Sequence, residues 1–539
     1  LSLPRRQRVH LQIAAAMEQA YASTLDRHAG DLAHHLYQAG AAADPEKTAR
    51  YLALAADQAL AASAFEDALR YVEQALAIEA GGDVRRDGEL LAKKGAALLS
   101  LGREEDAITE WQTALSIYER LRDVDAVARI CYEMGVELDL LNRKPEGADI
   151  CARGLRALGD DRTAGCWRLL ALTGFFAAEL GDYEAGIRML EDAEHAVERL
   201  GDRHLLGQVL SSRVTLCLNH AESRQVVDVG RRAAGELRRV GGLWELTFVL
   251  SLLEMNLVWL GRLDEAATCD DELRPLARRL GHRLALFLAD WASMERELMR
   301  TGDLDAYEAA ARQALDACLR AAQAGPIASF SYVFVGAAQF WKGQWDSSLI
   351  SFERAIQGAF HPPWIETAWG WLFLVKAYAA AEDAPQVFGG RQAALPAPGM
   401  PAFSGSWHLA QLAVEGLAIL GDKREAHALY PTLLRLMGMR VGGWVVGLVA
   451  TSAGIAAACG ADWNAAEQHF QTALRQADEI PHKIAQPETR RWYAQMLLDR
   501  NAPGDRDRAR TLLDEAIEMY RQIGMPKHLE IAERMLGGL

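Results

Sequence analysis

A chain of 539 residues is longer than one compact core supports, because cores stop growing at about 250–300 residues, so an extended array or several domains is expected. The formal net charge of −15 argues against a general nucleic-acid surface or an acidic-membrane surface. Seven scattered cysteines, odd in number and without a CxxC pair, point to a reduced, cytoplasmic protein with structural thiols.

The first 40 or so residues stand apart from the rest of the chain. Leu3-Pro4-Arg5-Arg6-Gln7-Arg8 is a basic lead-in to an amphipathic helix over about 10–21, and a second helix carries Asp31-Leu32-Ala33-His34-His35-Leu36. Adjacent helical residues point about 100° apart, so His34 and His35 are not expected to chelate one ion together. His35 should be partly buried and His34 exposed. Leu1 begins neither a signal peptide nor a Met start, and the expectation is a segment of a longer protein.

From about residue 41 one unit recurs. It is plainest at Leu101-Gly102-Arg103-Glu104-Glu105-Asp106-Ala107, followed by Trp111 and Ala114-Leu115. Equivalent anchors fall at 63, 102, 142, 181, 220, 261, 302, 343, 382, 421, 460 and about 501, in steps of 39 to 41 residues. Glycine is favoured just past a helix end, where the backbone turns left-handed. An acidic residue after it caps the next helix. Alanine seven residues apart lets two helices approach closely. The pattern predicts about twelve helical hairpins, each unable to bury its apolar face alone and therefore stacked on its neighbours. The uncharged stretch 441–460 approaches the length of a membrane span, but it ends on the anchor Gly460 and reads as a buried first helix of a repeat.

Aromatic residues concentrate in the middle. Trp341, Trp345, Trp364, Trp369, Trp371, Trp407 and Trp444 are half of the fourteen tryptophans. Most lie on four expected first helices, 326–342, 363–380, 404–420 and 438–459. Trp364 and Trp371 share one helix face, Trp369 and Phe373 another, whereas packing requires a single broad stripe. Two readings stand: the rings fill the array, or some of them line a groove. Pro396, Pro398, Met400 and Pro401 mark a longer loop beside them.

Two stretches carry a family resemblance: LAHHLYQAG with ARYLALAADQALAASAFEDALRYVEQAL near the start, and Arg491-Trp492-Tyr493-Ala494-Gln495-Met496-Leu497-Leu498 through Tyr520–His528 near the end. The chain resembles the tetratricopeptide (TPR) superhelix of STAND regulators, the signal-transduction ATPases with numerous domains. It is most similar to those with an upstream class III nucleotidyl cyclase, and more distantly to the maltotriose-responsive activators. HEAT repeats share the period but lack the Gly…Ala…Ala-Leu spacing. The resemblance implies an all-α, right-handed superhelix over 41–539, preceded by lead-in helices over 1–40 that follow a winged-helix and ATPase region. It implies a sensor arm whose first helices line a concave wall. A protein or small-molecule signal would bind that wall between about 326 and 445, with Trp341, Trp364, Trp369, Trp371, Trp407 and Trp444 as contacts. The arm's other partner would be its own upstream ATPase, and the full-length protein would oligomerise on activation. No nucleic acid, membrane, metal or cofactor is expected for this segment. No GxxxxGK[ST], HExxH, GxSxG or GxGxxG occurs, so no catalytic residue is assigned.

Overall fold

The computed structural model describes residues 2–62, 64–78, 83–159, 163–320, 326–358, 362–398, 400–443 and 447–539. Among these residues the chain is helical without a strand, apart from one isolated bridge between Gly442 and Leu448. Helices α1 (Leu3–Ala20) and α2 (Ala29–Ala39) form a leading hairpin. Helices then pack in consecutive pairs, among them Val84–Ser100 with Glu104–Leu121, Leu243–Trp259 with Leu263–Leu280, and Ala485–Arg500 with Asp505–Ile523. The fold is an all-α, TPR-like solenoid of helical hairpins.

The turn chemistry works as the spacing requires. Gly102, Gly261 and Gly343 leave the first helix with φ of 73°, 72° and 73°. In degenerate copies the left-handed position falls to Asn142 and Asn501, residues that tolerate it. The carboxylates of Asp182, Asp422 and Asp462 accept from the backbone amides of Ala185, Glu425 and Ala465, capping the second helices. The small-residue slot near the start of that helix is fully buried at Ala68, Ala107, Ala266, Ala426 and Ala466. Ser348 fills it by donating its hydroxyl to the Gly336 carbonyl at 2.7 Å. Gly186 fills it where the backbone of Gly174 crosses so closely that a Cβ would lie 2.4 Å from its carbonyl oxygen.

One expectation needs correction. The first helix foreseen over 438–459 begins only at Val449 and runs Val449–Cys459. Gly442, Gly443 and Gly447, the last at φ 77°, weaken helix formation ahead of it. The amides of Val441 and Gly442 instead donate to the carbonyl of Trp259.

The chain divides into two compact units, Leu1–Asp139 with Arg143–Thr173, and Leu140–Asn142 with Gly174–Leu539. In the first, Leu32, Leu36, Leu52 and Val72 centre a core beneath the leading helices. In the second, one continuous core runs from Val214 to Ala532.

The second unit also coils back on itself. Ser404 Oγ donates to the carbonyl of Leu218, 186 residues away, at 2.7 Å. The Lys483 amide donates to the Met299 carbonyl at 2.7 Å, Gly261 lies against Ile480, and Gly343 against Lys527. Each joins the end of a first helix to a segment about four and a half to five and a half repeats later. Successive turns of the array therefore touch.

Candidate functional site

Of the tryptophans singled out in the sequence, Trp341, Trp364, Trp369, Trp371 and Trp407 lie on consecutive first helices, Pro326–Trp341, Pro362–Tyr378 and Ser404–Leu420, whereas Trp345 opens the second helix Trp345–Gln357. Trp341, Trp364, Trp371 and Trp407 are buried, and Trp369 is half-buried. Trp444 lies outside the described residues.

The buried rings have two kinds of neighbour. Trp371 is held within its own and adjoining repeats, stacked on Phe352 at 5.6 Å and meeting Phe340 edge-on at 5.4 Å. Trp407 donates its indole N–H to the Ala402 carbonyl beneath the Arg435 guanidinium. Trp341 and Trp364 instead reach distant repeats. The Trp341 ring lies 5.1 Å from His528 of the helix Pro526–Gly537, and Trp364 lies 5.7 Å from Trp259 and 6.1 Å from His408. Trp369 is covered by the Arg391 guanidinium, 4.2 Å above its ring and also paired with Glu366.

Where the turns meet, two buried polar centres appear that the sequence pattern did not mark. Arg440 lies over Trp259, with Nη1 3.0 Å from His408 Nε2 and Nη2 3.4 Å from Ser404 Oγ. Thr367 Oγ1 lies 2.9 Å from His408 Nδ1. Burial pushes Arg440 down to about 9, and burial followed by the Arg440 charge holds His408 well below its ordinary value.

The second centre is Arg491. It donates to Tyr378 Oη at 2.6 Å, Glu488 at 2.6 Å and Tyr520 Oη at 3.2 Å, and Glu415 lies at 3.5 Å. Burial opposes its charge, but Glu488 and the surrounding phenols outweigh burial and keep it cationic. Glu415 is pushed upward, by burial first and then by Glu488. A cavity of about 410 Å³ adjoins this cluster, lined in part by Tyr378, Lys423, Phe470, Arg491, Met496 and Met535. Arg491 was visible as part of a motif, but its hydrogen bond to Tyr378 spans 113 residues and the Tyr520–Glu488 bond beside it spans 32, so neither gave a local signal.

In the first unit, His35 is half-buried and His34 exposed, as the sequence predicts. Their rings nevertheless lie only 5.2 Å apart at 74°, and His10 of α1 joins them.

No protein-family model matches the chain, and no curated protein matches it. Solved structures do. A chain of the APC/C Cut9–Hcn1 hetero-tetramer aligns over 91% of this chain and 98% of its own at 13% identity and a TM-score of 0.45. A STAND protein with a tetratricopeptide repeat sensor from Pyrococcus horikoshii aligns over 67% of this chain and 47% of its own, at 14% identity and a TM-score of 0.34. A Rap protein complexed with competence and sporulation factor aligns over 84% and 97%, at 12% identity and a TM-score of 0.33. No described helix is long and apolar enough to cross a membrane.

Proposed function

We propose that residues 41–539 are the TPR sensor arm of a STAND-type regulator, preceded by lead-in helices over 1–40. The arm binds a protein or small-molecule signal and controls an upstream ATPase, with a nucleotidyl cyclase as the further effector. The observation that supports this is the placement of Trp341 and Trp364. Both stand on first helices, yet both pack against His528 or Trp259 from distant repeats rather than only against their own hairpin. The backbone contacts between turns are single hydrogen bonds, each worth about 1 kcal/mol net. A signal that binds the wall between about 326 and 445 better when the turns part would shift the array toward the open form by its differential affinity. Trp341 and Trp364 then lead the binding surface, with Trp369 at its rim and Trp371 and Trp407 behind it, and Trp444, which lies outside the described residues, is the remaining candidate contact. Burial of aromatic area on an incoming partner is the usual source of binding hot spots.

The test is to read the coding sequence upstream of Leu1 and to assay residues 1–539 with ATP. A P-loop followed by a winged helix upstream, with no turnover by the segment alone, supports the regulator. An initiation codon directly before Leu1 overturns the switch and leaves a free-standing TPR scaffold. Turnover that survives repurification overturns the non-enzymatic reading.

A further inference from the structure

The leading hairpin brings together three imidazoles that are separate in the sequence. His10 comes from α1 and His34 and His35 from α2, and the turn between these helices places one face of each against the other. His10 Nδ1 lies 2.8 Å from His35 Nδ1. The His34 ring stands 5.9 Å from that of His10 and 5.2 Å from that of His35. One nitrogen from each of the three rings falls within 4.8 Å of the others.

Three ring nitrogens at this spacing are a chemical oddity if packing is their sole purpose. One hydrogen bond accounts for the Nδ1 atoms of His10 and His35, and it does not account for the His34 ring beside them. Around a tetrahedral divalent ion, ligands at about 2.0–2.1 Å from the metal lie roughly 3.3 Å from one another. The 2.8 Å separation of His10 and His35 and the 4.8 Å span of the three nitrogens bracket that value. The Cβ atoms of His34 and His35 diverge by about 100°, but their rings converge to 5.2 Å of one another in the structure. An ion between the two helices is approached from different sides, and His10 closes the third side.

We propose that His10, His34 and His35 form a three-imidazole site for a borderline divalent transition ion, of which Zn(II) is the expected occupant. Neutral imidazole donors suit zinc, copper, nickel and cobalt, whereas calcium and magnesium require oxygen ligands. Three protein ligands leave the fourth position to water or to an incoming carboxylate or imidazole. Asp31 lies one helical turn before His34 and His35, on the same helix. The ion would join α1 to α2 across 25 residues of chain, and so would couple metal binding to the order of the leading hairpin. The site belongs to a different compact unit from the sensor wall and shares no residue with it, so either can fail without the other.

The experiment uses the full 539-residue chain without a histidine tag, stripped with chelator and titrated with Zn(II) by calorimetry and with Co(II) by visible absorption. One ion per chain is expected, with cobalt ligand-field bands of a low-coordinate nitrogen site and an upward shift in melting temperature that grows with zinc concentration. His34→Ala removes an exposed donor and should leave the fold intact by circular dichroism while weakening zinc binding at least about tenfold. His10→Ala should do the same. His28→Ala, which removes a ring stacked on Tyr21 outside the cluster, should change nothing. Absence of saturable binding, a stoichiometry of one ion per two chains, or equal affinity in the folded His34→Ala and His10→Ala variants would each overturn the site.

Discussion

At the scale of the single residue, burial decides more than chemistry does. Glu137 sits 8% exposed on the helix Val124–Leu140, and burial, reinforced by Glu104, pushes its carboxyl up to about 7. A carboxyl raised in the folded state keeps its proton while the unfolded chain releases its own. Folding stability therefore falls as the pH rises from the ordinary value of 4.5 to about 7, and the loss is complete above that. Glu137→Gln removes the titration. Its melting temperature should match the parent at pH 4 and exceed it at pH 8, by an amount corresponding to up to about 3 kcal/mol. Parallel curves for the two proteins across that range would refute the assignment. Burial also separates the tryptophans. A ring as enclosed as Trp371 contributes mainly stability, whereas Trp369, half-buried under Arg391, has a face that can change partners.

At the scale of the element, the repeat turn has two duties, and the structure distinguishes them. Gly421 and Gly261 both adopt left-handed backbone, at φ 81° and 72°. A Cβ at Gly421 meets nothing within 4 Å, whereas one at Gly261 would lie 2.4 Å from Ile480 Cδ1. Gly421→Ala should therefore cost only the left-handed strain, about 1–2 kcal/mol. Gly261→Ala should cost that plus about 1–3 kcal/mol for forcing two turns apart. Chemical denaturation of the two variants measures the difference, and equal losses would mean that the contact with Ile480 yields freely. The register of these turns was legible in the sequence, because glycine, the acidic cap and the small residue all act on their immediate neighbours. The late start of the helix Val449–Cys459 was not, because it depends on Trp259 supplying a carbonyl from a distant repeat.

At the scale of the second compact unit, stability is distributed over hairpin contacts and over the return contacts between turns. The Lys483 amide, in a short connection between helices, donates to Met299 rather than to water. Hydrogen exchange should find this amide protected together with the helices it joins, although its own segment is not helical. Exchange at the rate of a free loop amide would show that the turns part readily in solution. The proposed sensor behaviour requires an intermediate result: protection in the resting chain, and selective loss of it when the signal binds.

The sequence by itself determined the repeat length, the all-helical fold, the positions of the turns and the identity of the aromatic segment. Each of these arises from interactions within one unit or between neighbours, and their period survives in the residue pattern. Tertiary structure alone decided which rings meet across turns, where Arg440 and Arg491 find their partners, and that His10 joins His34 and His35. The small rotation from each repeat to the next accumulates over about four and a half units before the chain touches itself. No single residue carries that sum, so the contacts it creates have no signature at the spacing of the repeat.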